Sequence, residues 1–207
     1  MALHRPRMRL PAFALFALFA TVALTIPGCG EGNVVGGDES EIISRVELHF
    51  TPVGGGETLS FAFSDPDGDG GVSGEAQRVE LGADTDYRLE LRLYNDLVTP
   101  AVDIGEEIAD EAEEHMFLFA ADLGNYSYDD LESDYVDNLV GEDLPVGLVG
   151  SFSSGAAGSG ELRVVLRHLP ELNGTPQKAA DLPQLFADGD ALPGDVDVDV
   201  VFELVVQ

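Results

Sequence analysis

Between residues 45 and 51 the chain alternates, with Val46, Leu48 and Phe50 apolar and Arg45, Glu47, His49 and Thr51 polar. This is the period-two pattern of a strand with one face in a core. Gly54-Gly55-Gly56 supplies a turn, and Leu59, Phe61 and Phe63 repeat the alternation beyond it, so the two runs read as a hairpin. Tyr87, Leu89, Leu91 and Leu93 alternate with Arg88, Glu90, Arg92 and Tyr94 after the turn residues Asp84-Thr85-Asp86, which predicts a central strand. Met116 to Ala121 is continuously apolar, as expected of a strand covered on both faces. Weaker strands are expected around Tyr126, over 147–153 and over 161–168. The last, over 195–206, sets Val196, Val198, Val200, Phe202 and Leu204 against Asp195, Asp197, Asp199 and Glu203, acids of a kind that blunts edge pairing.

Only Asp103 to Glu114 has a helical period, with Ile104, Ile108 and Ala112 recurring every four residues among Glu and Asp. Many short strands, Gly-rich turns and one short acidic helix predict an all-β fold, an antiparallel, immunoglobulin-like β-sandwich spanning residues 42–207. Its expected core is Val46, Leu48, Phe50, Leu59, Phe61, Leu89, Leu91, Leu93, Phe117, Phe119, Val164 and Phe202.

The first residues follow another logic. His4, Arg5, Arg7 and Arg9 precede 17 uncharged residues, Leu10 to Ile26. That run is short of the roughly 20 that span a bilayer comfortably and suits the apolar region of a signal peptide. It ends on Ile26-Pro27-Gly28-Cys29, which resembles a bacterial lipobox with proline at the −2 place, and Cys29 is the only cysteine. The expectation is a lipoprotein signal peptide over 1–28, lipid on Cys29, and a Gly- and acid-rich flexible tether over 29–41. Such a chain is held at the cell envelope by its lipid. Gly30 is not the aspartate that typically retains lipoproteins in the inner membrane, which favours the outer one. A lone thiol forms no internal disulfide, so the fold rests on its core.

Charge narrows the partners. Three of the ten basic residues fall in the leader, so the 179 residues from Cys29 onward carry seven against all 39 acids, a formal charge of −32. Nucleic acid and anionic lipid surfaces are poor partners for such a chain, and a dense carboxylate coat is the ordinary means of staying hydrated in salty surroundings.

No nucleophile elbow, phosphate-cradling Gly loop or zinc-type Cys pair occurs, and an enzyme is not expected. Asp65, Asp67 and Asp69, in Asp65-Pro66-Asp67-Gly68-Asp69-Gly70, copy the first half of a calcium loop, but the twelfth position is Ala76 and Glu75 stands one place early. An acidic hairpin loop is the preferred account of them, and calcium is the less favoured ion. Histidine is scarcer, with only His49, His115 and His168 after the leader. His49 falls on the polar face of its strand. Glu111 and His115 have the i, i+4 spacing that sets two ligands on one side of a helix, with Glu114 adjacent, and His168 is in phase with the apolar face of its strand. Singly, each histidine also fits a structural role, His115 as a helix C-terminal cap. Together His115, His168, Glu111 and Glu114 are the candidate metal ligands, suited to zinc or copper.

Leu93-Tyr94-Asn95-Asp96, Glu106-Glu107-Ile108, Glu111-Ala112-Glu113-Glu114-His115, Phe117 and Phe119, Gly158-Ser159-Gly160-Glu161-Leu162 and Leu166-Arg167-His168 resemble a family of small lipoproteins of Bacteroidota. The resemblance covers most of 46–206. Members often carry the label "type 1 periplasmic binding fold", which implies two α/β lobes, and one candidate helix in 179 residues does not supply them. The resemblance marks Glu111, His115 and His168 again. The family has no established function to carry over, and the ligand set, the leader and the missing catalytic motifs together give the expectation of an envelope-anchored, non-enzymatic binding module that holds zinc or a similar ion as an accessory to outer-membrane uptake. A structural or adhesive surface domain and a small-ligand capture module remain the alternatives.

Overall fold

The structure, a computed structural model, describes residues 41–68, 74–139 and 141–207. The signal peptide, Cys29 and all but the last residue of the expected tether lie outside the described residues. In chain order the elements are β1 (Arg45–Pro52), β2 (Leu59–Ser64), β3 (Glu75–Ala76), β4 (Val79–Leu81), β5 (Asp86–Asn95), β6 (Val102–Asp103), α1 (Gly105–Asp110), β7 (His115–Ala121), β8 (Gly124–Tyr128), β9 (Val149–Ser154), β10 (Gly158–His168), α2 (Leu182–Asp188) and β11 (Asp195–Val206).

Alternation sets the register. Val46 lies opposite Phe63 and Leu93, Leu48 opposite Phe61 and Leu91, and Phe50 opposite Leu59 and Leu89, so three apolar rows cross β2, β1 and β5 on one face. That sheet runs β3-β2-β1-β5-β9-β8 with β6 on β5, and a second runs β4-β11-β10-β7. Pairing is antiparallel throughout except between β4 and β11, where Val79 to Leu81 run parallel to Leu204 to Val206. The two inner faces share one core in which Phe50, Phe117, Phe152 and Phe202 are wholly buried. Phe50 meets Tyr87 and Phe152 edge-on at 5.9 and 5.6 Å. The fold is therefore an all-β sandwich of two layers, each supplying one apolar face.

Three expected core residues, Leu59, Phe61 and Phe119, are only partly buried, though all pack against the core. For the first two the reason is position, since β2 has only the two-residue β3 beyond it. The acidic β11 lies between β10 and β4, and its outward acids find cations there. Arg163 holds Asp199 at 2.6 Å and Arg78 reaches Glu203 at 3.0 Å.

The helical segment is shorter than its period. Ile104, Ile108 and Ala112 are all buried as the spacing requires, but only Gly105 to Asp110 are helical. Val102 and Asp103 join β5 as β6, and His115 already opens β7. Ladder bonds at both ends outweigh the helical preference of the residues between. A second helix, α2, was not foreseen. It carries Leu182, Leu185 and Phe186 on one side, has Pro183 in its first turn, and stops at Gly189 with φ 74°. It covers Met116, Leu118 and Val165 on the outer face of the second sheet, which explains why β7 is apolar on both faces.

Lys178 ties the loops at this end together. Its buried ammonium lies 2.8 Å from Glu132 and donates to the carbonyl of Ala112 at 2.7 Å. Lys178→Met should leave Glu132 buried without its cation and cost on the order of 3 kcal/mol, read as a lower urea midpoint at unchanged slope. The double change Lys178→Met, Glu132→Leu should recover most of that loss.

Candidate functional site

His115 opens β7 and His168 closes β10, and the two are direct partners in the ladder. Cross-strand partners project to the same face. Their rings stack with centroids 4.7 Å apart and planes 9° from parallel, both buried.

The third member comes from a break in register. Along β11, Val198 faces Leu166 and Val196 faces Arg167, so Asp197 has no partner of its own. A bulge of this kind turns the extra residue onto the side of its neighbour and shifts the phase beyond it. Asp197 is 4% exposed and Val196 48% exposed, the reverse of the phase expected from strict alternation. Two features hold the bulge. The Arg167 guanidinium donates to the carbonyls of Pro193 and Gly194. Gly194, at φ 70°, passes so close to His168 that a Cβ there would lie 2.1 Å from the His168 carbonyl oxygen.

Glu41, just ahead of β1, is the fourth member. Its side chain is 4% exposed, and Oε1 lies 3.3 Å from Nε2 of His115, whose other near carboxylate oxygen is Asp197 Oδ2 at 3.9 Å. One ligand atom from each of Glu41, His115, His168 and Asp197 falls within 4.8 Å of all the others. Nδ1 of His115 donates to the Glu111 carbonyl at 3.2 Å, which directs Nε2 at the carboxylates. Yet Glu41 Oε2, His115 Nε2 and both Asp197 oxygens are buried without a hydrogen-bond partner among the described residues. Such atoms are costly to bury unless a charge compensates them.

The electrostatics express that tension. Burial pushes the Asp197 carboxyl up, Glu41's charge adds to it, and the two histidines only partly oppose, so it titrates at about 6. For His115 burial works downward, but the adjacent Glu41 carboxylate, the Glu111 carbonyl and Asp197 outweigh it and hold the imidazole above its ordinary value. Burial likewise raises Glu41, and His115 more than reverses it, leaving the carboxyl below its ordinary value.

The expected carboxylates are not the ones brought inside. Glu111 stands 4.0 Å from His115 and Glu114 3.7 Å from His168, but their side chains are 49% and 45% exposed. They sit on the rim because the helix ends before them and β7 turns His115 inward. Glu114 also lines a cleft of about 550 Å³ with Glu132, Leu144, Leu169 and Lys178. His49 bonds Glu47 and Ser60 on the outer face of its sheet. In the Asp-rich loop, Asp65 is buried and accepts the Asp67 amide at 3.4 Å, while Asp69 lies outside the described residues. Sequence reasoning missed Glu41, which composition places in the tether although its side chain is buried, and Asp197, which alternation places outward. For neither does the local sequence carry a clear signal.

Two imidazoles and two carboxylates suit a borderline divalent ion such as zinc. A tetrahedral ion with bonds of about 2 Å separates its ligands by about 3.3 Å, so the widest pair would close by roughly 1.5 Å, within the reach of side-chain rotation.

Asp197 gives the metal-free chain a pH signature. A carboxyl raised from 3.8 to about 6 favours the fold fully below 3.8 and loses that contribution as pH rises through 6. The raised His115 acts in the same sense, its contribution lost as pH rises through its folded value, whereas the lowered Glu41 loses its contribution as pH falls. Without added metal, Asp197→Asn should therefore stabilise the chain by about 2 to 3 kcal/mol at pH 7.5 and much less at pH 4, as measured by urea unfolding at both pH values.

No family model, curated protein or solved structure matches this chain, so the chemistry of the four converging side chains carries the functional argument.

Proposed function

We propose that the chain is a non-enzymatic transition-metal-binding module, with zinc as the favoured ion, held by Glu41, His115, His168 and Asp197. The observation that carries this is the buried cluster of two imidazoles and two carboxylates, in which Glu41 Oε2, His115 Nε2 and both Asp197 oxygens lack hydrogen-bond partners among the described residues. A divalent cation would compensate both carboxylates and remove the reason for Asp197 to hold a proton. The Glu111 carbonyl on His115 Nδ1 supplies the outer support that metal-bound imidazoles ordinarily have.

The pattern of the leader and Cys29 supports a location in the cell envelope, with lipid as the anchor and the outer membrane favoured, and the proposed partner that receives the ion is an outer-membrane uptake receptor. Among the described residues no helix is long and apolar enough to cross a membrane. Calcium is the weaker choice because imidazole is a poor ligand for it. A second reading, a structural surface domain in which the ion fastens the fold, draws support from the enclosure of the cluster, since structural zinc sites present four protein ligands and no open position.

Zinc titration of the purified chain should give one tight equivalent above pH 7, weakening as pH falls through 6. The double variant His115→Ala, His168→Ala should lose it. Glu111→Gln and Glu114→Gln should stay within about twofold of wild type, as befits exposed rim charges. Binding unchanged in the double histidine variant would place the ion elsewhere and end this reading.

A further inference from the structure

Resting on that metal-binding reading, we infer that the four ligands divide into a fixed platform and a movable arm. His115, His168 and Asp197 form the platform, and Glu41 is the ligand that swings away to admit and release the ion. The open position it leaves is where an incoming donor group takes hold.

The platform lies wholly on the second sheet. Its residues belong to adjacent strands β7, β10 and β11, His168 pairs with both His115 and Asp195, and the Leu169 amide continues the ladder to the Glu114 carbonyl at 2.6 Å. Their backbones are held by strand pairing at or on either side of each residue. Glu41 lies off this sheet and, among the described residues, outside the strand pairing. It precedes β1 by four residues, and the first backbone hydrogen bond between described residues on this segment is that of the Ser44 amide to the Tyr94 carbonyl, at 3.0 Å. Ile42 is 50% exposed, and among the described residues Ile43 is the first apolar side chain seated in the core. Rotation about residues 41 and 42 thus withdraws the carboxylate while every ladder bond stays in place.

Without a cation, Glu41 and Asp197 are two buried carboxylates around one imidazole pair, and both carry oxygens without hydrogen bonds. Their repulsion works against the hold of His115 on Glu41, the one carboxylate of the two that lies off the strand ladder. A divalent ion would add its attraction for both carboxylates and keep the arm closed, so that Glu41 withdraws only as the ion enters or leaves. Three protein ligands with the fourth place open are the arrangement through which zinc exchanges partners, whereas four closed ligands retain it. The class of acceptor is therefore a small chelating anion or a carboxylate, imidazole or thiolate side chain that enters beside Asp197 before the platform lets go.

The test uses the full-length chain in detergent, loaded with one equivalent of zinc or cobalt(II). Transfer of zinc to an excess of an aminocarboxylate chelator is timed for wild type, Glu41→Gln and Glu114→Gln. Glu41→Gln should still bind one ion, with affinity lower by about 10- to 100-fold and transfer faster by at least about tenfold, and Glu114→Gln should behave as wild type. The visible spectrum of the cobalt form of Glu41→Gln should change on addition of acetate at concentrations that leave wild type unaltered. Amide hydrogen exchange on the unaltered chain adds a readout independent of any variant, and zinc should slow exchange selectively over residues 42–44. Transfer from Glu41→Gln at the wild-type rate, or loss of its zinc as complete as in the double histidine variant, would overturn the division into platform and arm while leaving the metal site standing. A wild-type chain that takes up no zinc removes the site and this inference together.

Discussion

The carboxylate of Asp197 is buried to the last oxygen and bonded by neither, and the groups around it are arranged by that constraint. An ionised carboxylate in such a place costs several kcal/mol unless charge or a proton compensates it. The structure meets the cost with two imidazoles at close range and a carboxyl group that holds its proton to about pH 6. Glu41 deepens the difficulty by bringing a second negative charge and relieves it only through His115. A divalent cation would meet these demands together, which is what the proposed metal site rests on beyond its residue types.

Other buried acids of this chain show what a purely structural solution looks like. Asp130 accepts the amides of Gly147 and Val149 and the hydroxyl of Tyr135 at 2.8 to 2.9 Å. Glu132 is paired with the Lys178 ammonium. In a chain with 39 acids the presence of carboxylates says little, and what separates Asp197 is that burial was not accompanied by bonding. The sandwich could have kept Asp197 in solvent by running β11 without a bulge. Instead Gly194 and the Arg167 guanidinium hold the strand in a register that turns it inward.

Much of the fold was legible along the chain. The alternation of Val46, Leu48 and Phe50, and of Leu89, Leu91 and Leu93, is enough to specify half-buried strands and their phase, because a one-residue slip would turn every one of those side chains to solvent. The period of Ile104, Ile108 and Ala112 named the buried face of the helical segment correctly even where the helix itself stops short. The scarcity of histidine singled out His115 and His168, and the continuous apolar run of β7 required a cover on both faces without saying that α2 would provide one.

What only the tertiary structure decided is the carboxylate half of the site. Asp195 to Val200 alternates without flaw, and nothing in it announces that one aspartate lacks a partner across the ladder. The bulge arises from how β11 must pass Arg167 and the His168 carbonyl, a matter of two strands and not of one. Glu41 is likewise an acid in an acidic stretch until β1 and β7 are placed in different sheets and its side chain meets His115 from 74 positions away. Local pattern fixes which face of an element is apolar, since burial acts on each strand separately. Which polar atoms share a buried space depends on distances between elements, and those exist only once the sheets have packed.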